Sequence, residues 1–194
     1  SIGTSDNHLG IDLKGSLSGT DRWSSTITAT ATNNIWLEET SGDMNVRNIY
    51  AGGDVGLYAD QSIIDAVDLT DATDPMSAVD TSTQPQQLGI DIIGDSITLH
   101  AGYGIGTAEN EIDIDSRGGT LTAFSEGTNL YIVETTGDVL LAQIGTAGFT
   151  AFLTATAGSI KNGREDGKPN IVGSATDGDL AKGKAYLIAS QDIG

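Results

Sequence analysis

One stretch of this chain occurs twice. Residues 26–63 read TITATATNNIWLEETSGDMNVRNIYAGGDVGLYADQSI, and residues 120–160 return as TLTAFSEGTNLYIVETTGDVLLAQIGTAGFTAFLTATAGSI. A repeat constrains the fold more than any other signal, because each copy must be a unit that packs on the next. Ile27 aligns with Leu121, Ile35 with Leu130, Gly42-Asp43 with Gly137-Asp138, Ile49 with Ile144, Leu57 with Leu153 and Ile63 with Ile160, at separations of 94 to 97 residues. Separations that drift by single residues are what lengthening turns between fixed strands produce. The likeness reaches upstream, where residues 1–13 match residues 104–115 with Ile2 over Ile105, Gly3 over Gly106 and Ile11 over Ile114. Residues 185–194 resemble residues 97–106 and read as the opening of a third copy. The expectation is one segment over 1–194, with copies at about 1–103 and 104–192, cut in phase from a longer array.

Inside each copy runs a finer beat. Ile35-Trp36-Leu37, Met44-Asn45-Val46 and Val55-Gly56-Leu57 are alternating runs about ten residues apart, and Leu121, Leu130, Val139 and Leu153 keep a similar beat. Alternation of period two places one face inward and one outward, which is a strand. Between the runs stand Asn33-Asn34, Ser41-Gly42-Asp43, Gly52-Gly53-Asp54, Gly127 and Gly137-Asp138. These residue types accept the backbone angles of tight corners. No window carries a sustained apolar spacing of helical period. The composition fits: 38% hydrophobic but only 5% aromatic, with 26 glycines and 3 prolines. Thin aliphatic strands of this kind suit a solenoid, in which each turn buries a narrow column against its neighbours. Two strands per turn at this beat give roughly eight to ten turns at about 4.8 Å each.

Two irregular pieces interrupt the pattern, residues 64–88 and 161–178. Both follow a Ser-Ile pair, Ser62-Ile63 and Ser159-Ile160, so they are expected to leave equivalent corners on one side of the array. Insertions on one face of a repeat fold are frequent binding surfaces. The first allows a short helical turn around residues 76–79. A further polar connector over residues 14–25 carries Lys14, Arg22 and Trp23, and Trp23 is expected to cover an end or side of the core.

The first insertion is also acidic. Asp65, Asp68, Asp71 and Asp74 form a candidate calcium loop, since calcium takes six to eight oxygen ligands. Their spacing of three is not that of an EF-hand, and the GGxGxD repeat of calcium-loaded rolls is absent. No other cofactor is indicated. Asp12, Asp91, Asp113 and Asp115 alternate with apolar residues and are expected on an exposed outer face. The histidines, His8 and His100, do not occupy equivalent positions, and no serine or cysteine pattern accompanies them as a triad requires. Gly102, Gly104 and Gly106 form a corner rather than a dinucleotide fingerprint, whose third glycine falls one residue later and opens a helix. Thr26, Thr28, Thr30 and Thr32 form a row that strand propensity explains.

The formal net charge is −18, from 27 acidic and 9 basic residues, which argues against nucleic acid or an anionic membrane as partner. Cysteine is absent, which removes disulfides, thiolate metal sites and thiol nucleophiles. No stretch has the length of a membrane helix and no signal peptide opens these residues, so a signal for export is expected outside them.

Runs such as ITATATNNIWLEETSGDMNV, GGDVGLYADQSI and GSIGTSDN-like corners resemble the repeat regions of very large bacterial exoproteins, the filamentous-haemagglutinin-like adhesins and their relatives. The shared pattern is short [GN]-x-[IVL]-x-[IVL] strands parted by Gly-Asp turns, and it covers most of the chain outside the insertions. The resemblance implies a right-handed parallel β-helix, an extracellular or cell-surface location, and a stalk or fibre role. The expected function is thus a non-enzymatic structural rod segment whose partners are neighbouring repeats or identical subunits stacked end to end. The alternatives are a module that contacts cells or polysaccharide through its insertions, and a polysaccharide-active enzyme. A lyase needs a base beside cationic groups, and the basic residues here are scattered.

Overall fold

The computed structural model describes residues 1–13, 25–66, 89–173 and 183–194. The connector with Trp23, the helical turn expected at 76–79, and Asp68, Asp71 and Asp74 lie outside the described residues. What is described is all strand and corner, with no helix among the described residues. In chain order the strands are β1 (Leu9–Ile11), β2 (Ile27–Ala31), β3 (Ile35–Glu39), β4 (Met44–Ala51), β5 (Val55–Ala59), β6 (Ile63–Asp65), β7 (Ile92–Ile93), β8 (Ile97–Ala101), β9 (Ile112–Asp115), β10 (Thr120–Ser125), β11 (Leu130–Glu134), β12 (Val139–Thr146), β13 (Thr150–Ala155), β14 (Ile160–Asn162), β15 (Ile171–Gly173) and β16 (Lys184–Ala189).

They form two parallel sheets. One runs β1-β3-β5-β8-β10-β12-β14, with β15 also on β12; the other runs β16-β13-β11-β9-β7-β4-β2, with β6 also on β4. The chain alternates between the sheets. Short strands cannot bury two faces alone, so each sheet turns one set of alternating side chains toward the other. Ile35, Leu37, Val55, Leu57, Ile97, Leu99 and Leu121 from the first sheet join Met44, Val46, Ile49, Ile92, Ile112, Ile114 and Ile132 from the second in one buried aliphatic cluster. Each fully buried Ile or Leu contributes about 1.5–3 kcal/mol of transfer free energy. Seven strands lie along each path, fewer levels than the beat alone suggests, because β6 with β7 and β14 with β15 each share one level on either side of an insertion.

Positions matched in sequence share their hydrogen bonds in space. Gly3 and Gly106 both have positive φ, 64° and 62°. A Cβ on either would lie 2.4 Å from the Trp36 carbonyl oxygen or 2.6 Å from that of Tyr131, so only glycine fits. Ile2 bridges Ile35 as Ile105 bridges Leu130. The pairing of β2 with β4 shifts register after Ile27, and that of β10 with β12 after Leu121. Asp43 accepts the Ser62 N–H at 3.0 Å, and Asp138 accepts the Ser159 N–H at 2.8 Å.

The matched strands nevertheless lie in opposite sheets. Ile35 is in β3 of the first sheet and Leu130 in β11 of the second; Ile49 is in β4 of the second and Ile144 in β12 of the first. Three and a half circuits separate the copies. The strand before the first insertion, β6, and the strand before the second, β14, accordingly belong to different sheets. The expectation that both insertions leave from one side is corrected by this half-circuit.

Candidate functional site

Of the four aspartates proposed for calcium, Asp65 is the one described, and it is the end of β6. β6 and β7 sit side by side on the long strand β4: Val46 is in register with Asp65, and Ile49 with Ile92. This brings the residues flanking the insertion, Asp65 and Asp91, together. Asp91 is only 3% exposed, which overturns its expected place on an open outer face. Asp113, one strand further in β9, is half-buried, and Asp12 at the other end is exposed.

The electrostatics follow from that burial. Asp91 is held well above the usual carboxylate range, first by desolvation, then by the charge of Asp65, to whose carboxyl it hydrogen-bonds. The Asp113 N–H donates to Asp91 Oδ2 at 2.9 Å and acts in the opposite sense. Asp113 itself is pushed up to about 6 by burial, then by Asp65 and Glu111. Two carboxyls in contact retain a proton between them more readily than they carry two charges. The arrangement can therefore hold and release a proton. Among the described residues no group of three or more His, Cys, Asp or Glu side chains is arranged to hold a metal ion.

The second constellation lies on the outer face of the first sheet. Tyr58 of β5 is in register with Glu38 of β3 and His100 of β8, and His100 with Phe124 of β10. The Trp36 ring covers Gly56 in β5, where a Cβ would come within 2.0 Å of the indole. His8, from the corner before β1, stacks on Tyr58 at 4.1 Å and on Trp36 at 6.1 Å. Its Nδ1 is 3.6 Å from Glu38, and His100 Nε2 is 3.2 Å from Glu126. Burial raises the Tyr58 hydroxyl above its ordinary range. An open cleft of about 200 Å³ at the ends of β3, β5 and β8 is lined by Glu38, Thr40, Tyr58, Asp60 and His100, among others. Sequence spacing hid this convergence, because ladder neighbours are far apart in the chain. His8 donates from Nε2 to the Ser5 carbonyl at 3.1 Å, and among the described residues neither imidazole engages a hydroxyl nucleophile. Gly102, Gly104 and Gly106 lie in the corner after β8, as expected.

A third pattern is a buried glutamate at the same place in each copy. Glu134 accepts from Ser116 N–H and Oγ–H on one oxygen and from Thr136 N–H and Oγ1–H on the other. Glu39 accepts from Leu13 N–H at 2.8 Å and Ser41 N–H at 3.2 Å. These carboxylates tie one corner to the next. Every donor is a main-chain group or a hydroxyl, and the role is structural.

No protein-family model, curated protein or solved structure matches this chain.

Proposed function

We propose that this chain is a structural rod segment of a secreted or cell-surface protein, wound as a right-handed parallel β-helix and without enzymatic activity. One observation carries the reading: parallel pairing continues without a break along both seven-strand paths, with a single aliphatic column between them. Load along such an axis falls on backbone hydrogen bonds shared by every level, and removing no single one releases the next. The supporting details are geometric. The buried glutamates satisfy corners, and on the outer face of the second sheet Tyr131, Phe152 and Tyr186 stack ring on ring at 4.6 and 5.0 Å. The partners in this reading are neighbouring repeats or identical subunits stacked end to end, outside the cell. Electron microscopy of native material containing this segment tests it. The expected result is long thin rods with an axial advance of about 4.8 Å per level. Discrete globular particles would overturn it.

A further inference from the structure

The cleft on the outer face of the first sheet has walls made almost entirely of hydrogen-bond acceptors. Glu38, Glu39, Thr40, Tyr58, Asp60 and His100 line it. The strands beneath it, β3, β5 and β8, each have a neighbour on both sides, so its walls are complete levels of the stack. It stays open because the corner stacked on Ala59-Asp60 is Gly102, whose N–H donates to Ala59 O at 3.0 Å. A Cβ on Gly102 would lie 2.2 Å from the Asp60 carbonyl oxygen, so no side chain can stand in that place.

The donors on these walls are already spent. Thr40 Oγ1–H donates to the Ile11 carbonyl at 3.1 Å, which leaves the lone pairs of the hydroxyl. His100 meets Glu126 through Nε2 at 3.2 Å, and a neutral imidazole that donates from Nε2 keeps Nδ1 as an acceptor. Glu39 receives the N–H groups of Leu13 and Ser41. Asp60 receives one N–H from Gln61 at 3.3 Å on Oδ2 and keeps its other oxygen. Glu38 approaches His8 Nδ1 at 3.6 Å, beyond hydrogen-bond distance. The Tyr58 hydroxyl has no hydrogen-bond partner among the described residues, and no lysine or arginine among them lines the cleft. A ligand that fits such walls brings donors and no acceptors. A sugar hydroxyl brings both, and its oxygen would meet lone pairs. A metal ion needs converging ligands, and among the described residues no three side chains are arranged to hold one. A guanidinium carries five N–H donors, no acceptor and a fixed positive charge, and it is more weakly hydrated than an ammonium.

We propose that this cleft takes the guanidinium of an arginine side chain from a polypeptide partner, with Glu38, Asp60 and the Tyr58 hydroxyl as its acceptors. The two carboxylates supply the counter-charge and make charge-assisted hydrogen bonds. The volume, about 200 Å³, admits the head and part of its stem, and the open mouth leaves the partner's main chain outside. The net charge of −18 draws a cationic partner in, and added salt weakens the contact by screening it. The site stands apart from the rod reading, because the levels stack without any ligand here.

Nuclear magnetic resonance titration of the isotope-labelled chain tests it, with three probes: an end-blocked Gly-Arg-Gly peptide, the same peptide with citrulline for arginine, and agmatine. The expected result with the arginine peptide is saturable shifts centred on Tyr58, Asp60 and His100. The citrulline peptide, alike in shape but uncharged, should bind about tenfold more weakly. Asp60→Asn places an amide donor among the acceptors and should weaken the arginine peptide about tenfold, and Tyr58→Phe about threefold. Glu165→Gln, which removes an exposed acid at the second insertion, should leave binding unchanged. Equal binding of the two peptides, or equal losses in Asp60→Asn and Glu165→Gln, overturns the guanidinium assignment. Agmatine bound where the arginine peptide is not overturns the polypeptide source. Unaltered spectra with all three probes overturn the site itself. None of these outcomes bears on the rod reading, which electron microscopy decides.

Discussion

Asp65 and Asp91 under the first insertion, and Asn162 and Asn170 under the second, occupy the same place. Asp65 is in register with Val46 as Asn162 is with Leu141, and Ile49 N–H donates to Asp91 O as Ile144 N–H donates to Asn170 O. In the second copy the Asn170 amide donates to Asn162 Oδ1 at 2.9 Å and to Leu141 O at 2.6 Å. In the first copy two carboxyls hydrogen-bond to each other, and Asp91 is held in its neutral form's favour. The contact wants a donor on one side and an acceptor on the other. An amide pair supplies both at any pH. An acid pair supplies both only while it keeps a proton, so one copy is titratable at a position where the other is not.

The largest effect expected from breaking this comparison is at the buried glutamates. Glu134→Leu leaves the donors of Ser116 and Thr136 without their acceptor and costs about 3 kcal/mol in denaturant unfolding. Glu39→Leu strands two main-chain donors and costs about 2 kcal/mol. An equal cost at both sites would show that the hydroxyl donors add nothing.

Next comes Asp91→Asn. A carboxyl whose folded-state range is raised stabilises the fold below its unfolded value, and that stability is lost as pH rises through the folded value. The unaltered chain therefore loses stability from about pH 4 through and beyond the Asp113 value of about 6. Asp91→Asn supplies the amide that the second copy has. It should raise stability at pH 7 and flatten most of that slope. Thermal melts at pH 4, 6 and 8 decide it, and an unchanged slope refutes the shared-proton description. The converse change, Asn170→Asp, should bring a second descending limb over the same range, with a loss of about 1–2 kcal/mol at pH 7. Smallest is Asp113→Asn. Asp113 is half-buried, so screening by solvent reduces its gain at pH 7 to about 1 kcal/mol, with the low end of the slope removed.

Much of the architecture is legible in the residues. Alternation in Ile35-Trp36-Leu37 and Val55-Gly56-Leu57 places β3 and β5 directly, and Gly3 and Gly106 announce matching corners. The half-circuit between copies is not legible, because a separation of 94 to 97 residues mixes strand beats with an insertion of unknown path. The burial of Asp91 is hidden for a related reason. Period-two alternation assigns a face, but the side chain that closes over it, Asp65, arrives from the far side of the insertion. Tyr58 and His100 meet through ladder pairing and His8 joins them from the corner before β1, and nothing in their spacing along the chain records that.

The change of sheet between the copies has a consequence for this pair of corners. The acid pair beside β6 stands on one sheet and the amide pair beside β14 on the other. Rising pH therefore bears on one face of the molecule and leaves the matching corner of the opposite face as it was.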